Sequence, residues 1–196
     1  MTKTGHRRIF GAPVLKKRIL FGIVVAGFAM GLGAASQIWP KHSRAERIAE
    51  LFYGICLAPV LTGDSPDTLL SGLTRTHDIL GGKAWIDPQS LSLVEREKRR
   101  CEISTFAPHP LLYQDAEALL PLIEEIVSVD FPQLAYDPRA KMGDAALSKG
   151  WFLGAVYSPE RWGIAHFAYP DWGDSAGSIL MFAAPDRPLR RSAPLQ

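Results

Sequence analysis

From Ile19 to Trp39, 21 consecutive residues carry no charge, and this stretch constrains the chain more than any other feature. A hydrocarbon core about 30 Å thick is crossed by roughly 20 helical residues, each adding about 1.5 Å. The stretch is therefore long enough to span a bilayer as one helix. Six basic residues precede it (Lys3, Arg7, Arg8, Lys16, Lys17 and Arg18), and the first acidic residue of the chain is Glu46. Lys41, Arg44 and Arg47 follow closely. The excess of positive charge on the N-terminal side predicts a cytoplasmic tail over residues 1–18, an inner-membrane segment over 19–39, and export of the rest.

Two readings of the segment stand. As an uncleaved signal anchor it places Trp39 at the membrane interface, and its length and long basic lead favour this. As a signal peptide it offers Gly33-Ala34-Ala35-Ser36, a small-residue site for cleavage after Ala35, which would leave a soluble periplasmic or secreted protein. Arg7-Arg8-Ile9-Phe10 resembles a twin-arginine export signal, but eight residues separate it from the apolar stretch, so ordinary positive-inside charge accounts for it better. Gly27 and Gly31, continued by Ala35, share one helix face and offer a close contact between two copies in the membrane.

Composition matters here only through charge. The chain holds 22 basic and 20 acidic residues. Without the six basic residues of the tail, 16 face 20, a net of −4. The basic character belongs to the tail, and no basic patch remains to suggest nucleic acid. Residues 41–185 are expected to form one exported domain large enough for a real hydrophobic core. Residues 186–196 lack a core-forming pattern and are expected to be a disordered tail.

Two cysteines are present, Cys56 and Cys101. In an oxidising compartment a lone pair reads as one disulfide. No Cys-x-x-Cys spacing points to redox catalysis.

The domain reads as α+β. Ser43 and Glu46 form a capping box, with Ile48, Leu51, Phe52 and Ile55 at helical spacing, and the helix should stop near Leu57 before Pro59. A second helix is expected from Ser65-Pro66-Asp67, with Leu69, Leu70, Leu73 and Leu80 inward and Gly81-Gly82 as its stop. His77 lies on that stripe beside Asp78, read as a partly buried helix-end histidine rather than a base. A third helix is expected within Asp115–Val129, kinked at Pro121 or starting near Leu119. Residues 133–144 read as a loop. Strands are expected at Lys83–Asp87, at Leu91–Glu95 and Cys101–Phe106 as a hairpin, and in a meander of Gly150–Tyr157, Trp162–Ala168 and Ser178–Ala184. The sum is an antiparallel sheet of five or six strands packed against two or three helices.

For chemistry, the densest group is Trp151, Tyr157, Trp162, His166, Tyr169 and Trp172, with Asp171 and Asp174 nearby. Alternation puts Trp162, Ile164 and His166 on one face and Phe167 and Tyr169 on the other. Aromatic residues beside carboxylates can stack a sugar, although a helix-covered sheet also uses aromatics as core. Asp171-x-x-Asp174-x-x-Gly177 lacks the ligand set of a calcium loop and reads as a turn. His109, flanked by Pro108 and Pro110, has no metal partners at ligand spacing. No P-loop, dinucleotide fingerprint, zincin helix or nucleophile elbow occurs, so neither cofactor nor metal is expected. The reading is a non-enzymatic envelope protein that contacts another envelope protein or the cell wall. The alternative is a small hydrolase or glycan-binding enzyme using His166 with Asp171 or Asp174.

Overall fold

Ser43 starts the first helix as its capping box predicts. Its hydroxyl accepts the Glu46 amide at 3.2 Å, and the Glu46 carboxylate accepts the Ser43 amide at 2.6 Å. The computed structural model describes residues 43–78, 81–169 and 176–186. The uncharged stretch with Gly27 and Gly31, Leu80, Asp171, Trp172, Asp174 and residues 187–196 lie outside them. Among the described residues no helix is long and apolar enough to cross a membrane.

Helix α1 (Arg44–Leu51) buries Ala45, Ile48, Ala49 and Leu51. The chain does not stop at Leu57 as expected. It widens into a π-helical turn, Phe52–Leu57, and resumes as α2, Ala58–Thr62. The wider turn rotates each residue by less than the 100° of an α-helix, so Ile55, Cys56 and Leu57 all face inward. Pro59 is tolerated because it falls in the first turn of the resumed segment, where its missing N–H costs little.

The second expected helix is corrected to a single turn, α3 (Asp67–Leu70). After Gly72 the chain leaves helical geometry and becomes β1, Thr74–Arg75, with His77 exposed and outside any regular element. Strand pairing outweighs the local leucine pattern here: Thr74 and Arg75 pair with Ile86 and Trp85, and the Arg75 guanidinium lies 4.8 Å over the Trp85 ring. The third helix, α4 (Tyr113–Asp130), starts earlier than expected and continues through Pro121. Pro121 lies on the exposed side, where water can satisfy the carbonyl freed by its missing N–H.

Among the described residues the sheet has eight strands rather than five or six, all antiparallel, in the order β1-β2-β3-β4-β8-β7-β6-β5. Its longer members are β2 (Lys83–Asp87), β3 (Ser92–Arg96), β4 (Arg100–Thr105), β6 (Leu147–Leu153), β7 (Trp162–Ala168) and β8 (Ser178–Ala183). The two additional strands are the edges, β1 and β5 (Ala135–Tyr136), the latter inside the expected 133–144 loop. Two-residue strands show no alternation, so only pairing reveals them.

One face of the sheet carries the helices and the main core. Val94, Ile103, Leu180 and His166 form one cross-strand row, and Cys101, Phe182, Ile164 and Trp151 the next. Ala116, Leu119, Ile123 and Val127 of α4 are buried in the same core. Phe131 closes it, with ring centroids 6.2 Å from Trp162 and 6.0 Å from Phe182. The Cys56–Cys101 disulfide, Cα atoms 5.4 Å apart, ties the π turn to β4. On the opposite face Ala165, Phe167 and Ile179 pack with Phe152, Tyr169 and Met181.

The strands give the sheet two ends. At the first lie the β2–β3 turn, the exit of β4 and the start of α1. At the second lie the β3–β4 and β6–β7 turns and the disulfide.

Candidate functional site

His166 sits in the middle of β7, paired with Lys149 on β6 and Leu180 on β8. Its ring is fully enclosed, and neither nitrogen has a hydrogen-bond partner among the described residues. Burial pushes its pKa down to about 4, so the imidazole is neutral at pH 7. Asp171 and Asp174 lie outside the described residues. The other aromatics also separate: Trp151 and Trp162 are core, Tyr169 packs on the far face, and Tyr157 is 99% exposed in a turn.

The buried imidazole makes a pH prediction. The unfolded ring takes a proton near pH 6.5, the folded one only near 4, so between these values the unfolded state holds more protons. Stability is full above 6.5 and falls as pH drops towards 4, by about 3 kcal/mol from this group. Urea midpoints at pH 7 and pH 4.5 should show the loss, and His166→Leu should reduce it. A midpoint difference unchanged in His166→Leu would assign the acid sensitivity elsewhere.

A groove of about 280 Å³ opens at the first end, on the face away from the helices. Its floor is one cross-strand row, Ile86, Leu93 and Ser104, from β2, β3 and β4. Leu91 from the β2–β3 turn and Phe106, Pro108 and His109 beyond β4 make its walls. Ile86, Leu91 and Phe106 are 41–45% exposed, large values for apolar side chains that share one concavity. The Ser104 hydroxyl is buried at the floor, without a hydrogen-bond partner among the described residues. Leu91 takes a left-handed backbone, φ 52°, which strains any residue but glycine.

The walls are braced from beneath. The Arg44 guanidinium donates to the carbonyls of Ser90 (2.6 Å), Pro110 (2.6 Å) and His109 (2.5 Å), joining both walls to the first turn of α1. Asp87, 1% exposed, accepts from Arg47 at 3.1 Å and from the Ser90 amide and hydroxyl at 2.7 and 2.6 Å. Burial alone would raise the Asp87 carboxyl; the bonds from Arg47 and Ser90 outweigh it and hold it below the usual carboxylate range. Thr105 Oγ1 accepts the amides of Leu111 (2.9 Å) and Ser178 (3.1 Å), fixing the loop beyond β4. Gly177 allows the close approach: with φ 150°, a Cβ there would lie 2.0 Å from the Thr105 carbonyl oxygen.

A second polar cluster is structural. Asp137 is held down to about 2 by the Arg139 amide and by Arg161, whose guanidinium bonds it at 2.6 Å and lies 4.1 Å over the Phe152 ring. His109 is exposed, and among the described residues no group of three His, Cys, Asp or Glu could hold a metal ion.

No local pattern in the sequence announces the groove, because its floor comes from three strands and each contributes one residue. The Pro108-His109-Pro110 connector marks one wall and says nothing of the floor. Chemically the groove suits an apolar group; its one buried unpaired hydroxyl is not backed by a base. No protein-family model, curated protein or solved structure matches this chain.

Proposed function

We propose that this is an exported envelope protein, held in the inner membrane through residues 19–39, whose α+β domain acts by contact rather than by catalysis. The observation that carries the reading is the Cys56–Cys101 disulfide, since such bridges persist mainly in oxidising compartments. It agrees with the positive-inside orientation of the uncharged stretch. Cleavage after Ala35 would release the same domain in the same compartment. A hydrolase or glycan-binding role through His166 with Asp171 or Asp174 draws less support, because the His166 ring is enclosed in the core. The partner is another envelope protein, the cell wall or the membrane itself.

The test is protease treatment of intact spheroplasts carrying the full chain. The domain should be digested from outside while a cytoplasmic marker survives, and the untreated protein should pellet with membranes. Protection until lysis would reverse the topology. Recovery of a shortened chain in the soluble exported fraction would replace the anchor with a cleaved signal.

A further inference from the structure

We infer that the groove over β2, β3 and β4 binds a neutral, largely apolar small molecule of one or two rings, whose hydroxyl or carbonyl oxygen bonds the Ser104 hydroxyl. This site goes beyond the contact role above and does not depend on the compartment in which the domain works.

Ser104 is the polar point of the site. Its hydroxyl is buried, has no hydrogen-bond partner among the described residues, and is not reached by water. A buried hydroxyl left in that state costs free energy that a single hydrogen bond recovers. Ser92, the other serine of the lining, is already engaged with Ser90 at 2.8 Å. Leu93 and Phe106 line the groove beside Ser104, and neither is fully buried. A rotamer change of either, common when a ligand enters, opens the hydroxyl to the groove.

The rest of the lining sets the character of the ligand. A cavity of about 150 Å³ holds benzene, so the groove's volume of about 280 Å³ admits two fused rings. None of the described lining residues is Asp, Glu, Lys or Arg, so a charged ligand would lose hydration without meeting a counter-charge. The floor strands are paired on both sides, Ile86 with Thr74 and Leu93, Ser104 with Leu93 and Ile179. They leave no backbone edge for an added peptide strand, which favours a small molecule over an extended chain. Arg44 bonds the carbonyls of Ser90, His109 and Pro110, and Thr105 holds the Leu111 amide, so the walls stand before any ligand arrives.

The probe is 2-naphthol, two rings and one hydroxyl, added to the purified full chain with its free concentration measured in a filtrate. Isoleucine methyl NMR reads the site. The Ile86 signal, assigned through Ile86→Val, should shift saturably with a Kd at or below about a few millimolar. Ile103, on the helix-covered face, should stay in place. Ser104→Ala should weaken 2-naphthol about fivefold, the worth of one hydrogen bond. The same variant should raise the urea midpoint of the free protein, because it removes an unbonded buried hydroxyl. 2-Naphthoate, which adds a charge to the same rings, should bind at least about tenfold more weakly. Unchanged affinity in Ser104→Ala, or a lowered urea midpoint, would show that the hydroxyl serves the fold and overturn the assignment. So would the absence of a saturable Ile86 shift. Equally tight binding of N-acetyltyrosinamide would make a protein side chain the occupant and overturn it as well.

Discussion

Replacing both cysteines, Cys56→Ala with Cys101→Ala, is expected to lower the stability of the exported domain by about 4 kcal/mol. The bridge closes a loop with a sequence separation of 45, and removing that closure gives the unfolded chain back its entropy. Both cysteines are buried in the main core, so each truncation also removes packed atoms beside Ile55, Leu57 and Ile103. The π turn bears the consequence most directly, since the bridge anchors it to β4. Urea unfolding of the oxidised and substituted proteins measures the effect. Equal midpoints would mean that the α1–π–α2 segment docks on the sheet without help from the bridge.

Arg47→Met is expected to cost about 3–5 kcal/mol, the usual consequence of removing one partner of a buried ion pair. Methionine keeps the apolar stem while leaving the Asp87 carboxylate, 1% exposed, with only Ser90 as partner. The double variant Arg47→Met with Asp87→Asn should recover much of the loss, because no uncompensated charge then remains buried. The sign of the pH dependence follows from the depressed Asp87 pKa. Its stabilisation is present above the unfolded value near 3.9 and is lost as pH falls through the lower folded value. In Arg47→Met, burial instead raises the carboxyl, so the gap between variant and parent should narrow on acidification. A cost independent of pH would show that charge pairing between Arg47 and Asp87 is not what holds α1 to the β2–β3 turn.

The legible parts of the fold were those whose signal is local and repeated. The Ser43–Glu46 capping box and the Ile48, Leu51, Phe52 and Ile55 stripe located α1 because each depends on spacing within one helix. The alternation in Trp162–Ala168 put Trp162 and Ile164 on one face and Phe167 on the other, and they lie in two separate clusters. What escaped was set by partners distant in sequence. The leucines at 69, 70 and 73 look helical, yet pairing with Trp85 and Ile86 draws residues 74–75 into the sheet. The edge strand Ala135–Tyr136 is defined by its pairing with Phe152 and Trp151, with the Lys149 ammonium over the Tyr136 ring. Pro59 suggested a stop, and nothing local announces the π turn that accommodates it.

The site was less legible than the fold for the same reason. His166 attracted attention by residue type, but its burial is set by β6, β8 and the helices above them. Ile86, Leu93 and Ser104 are unremarkable in sequence and become one surface only through the β2–β3–β4 register. Arg44 looked like residual positive charge behind a membrane segment. In the fold it ties the start of α1 to both walls of the groove.

The central claim, that this domain works on the oxidising side of a membrane, is tested most directly by the thiol state of the full chain in living cells. Cells are quenched in acid, and the protein is treated with a maleimide polymer before and after reduction. Both cysteines should be blocked before reduction and both should react after it, shifting the band by two polymer masses. Two reactive thiols before reduction would place the domain in a reducing compartment and contradict the account.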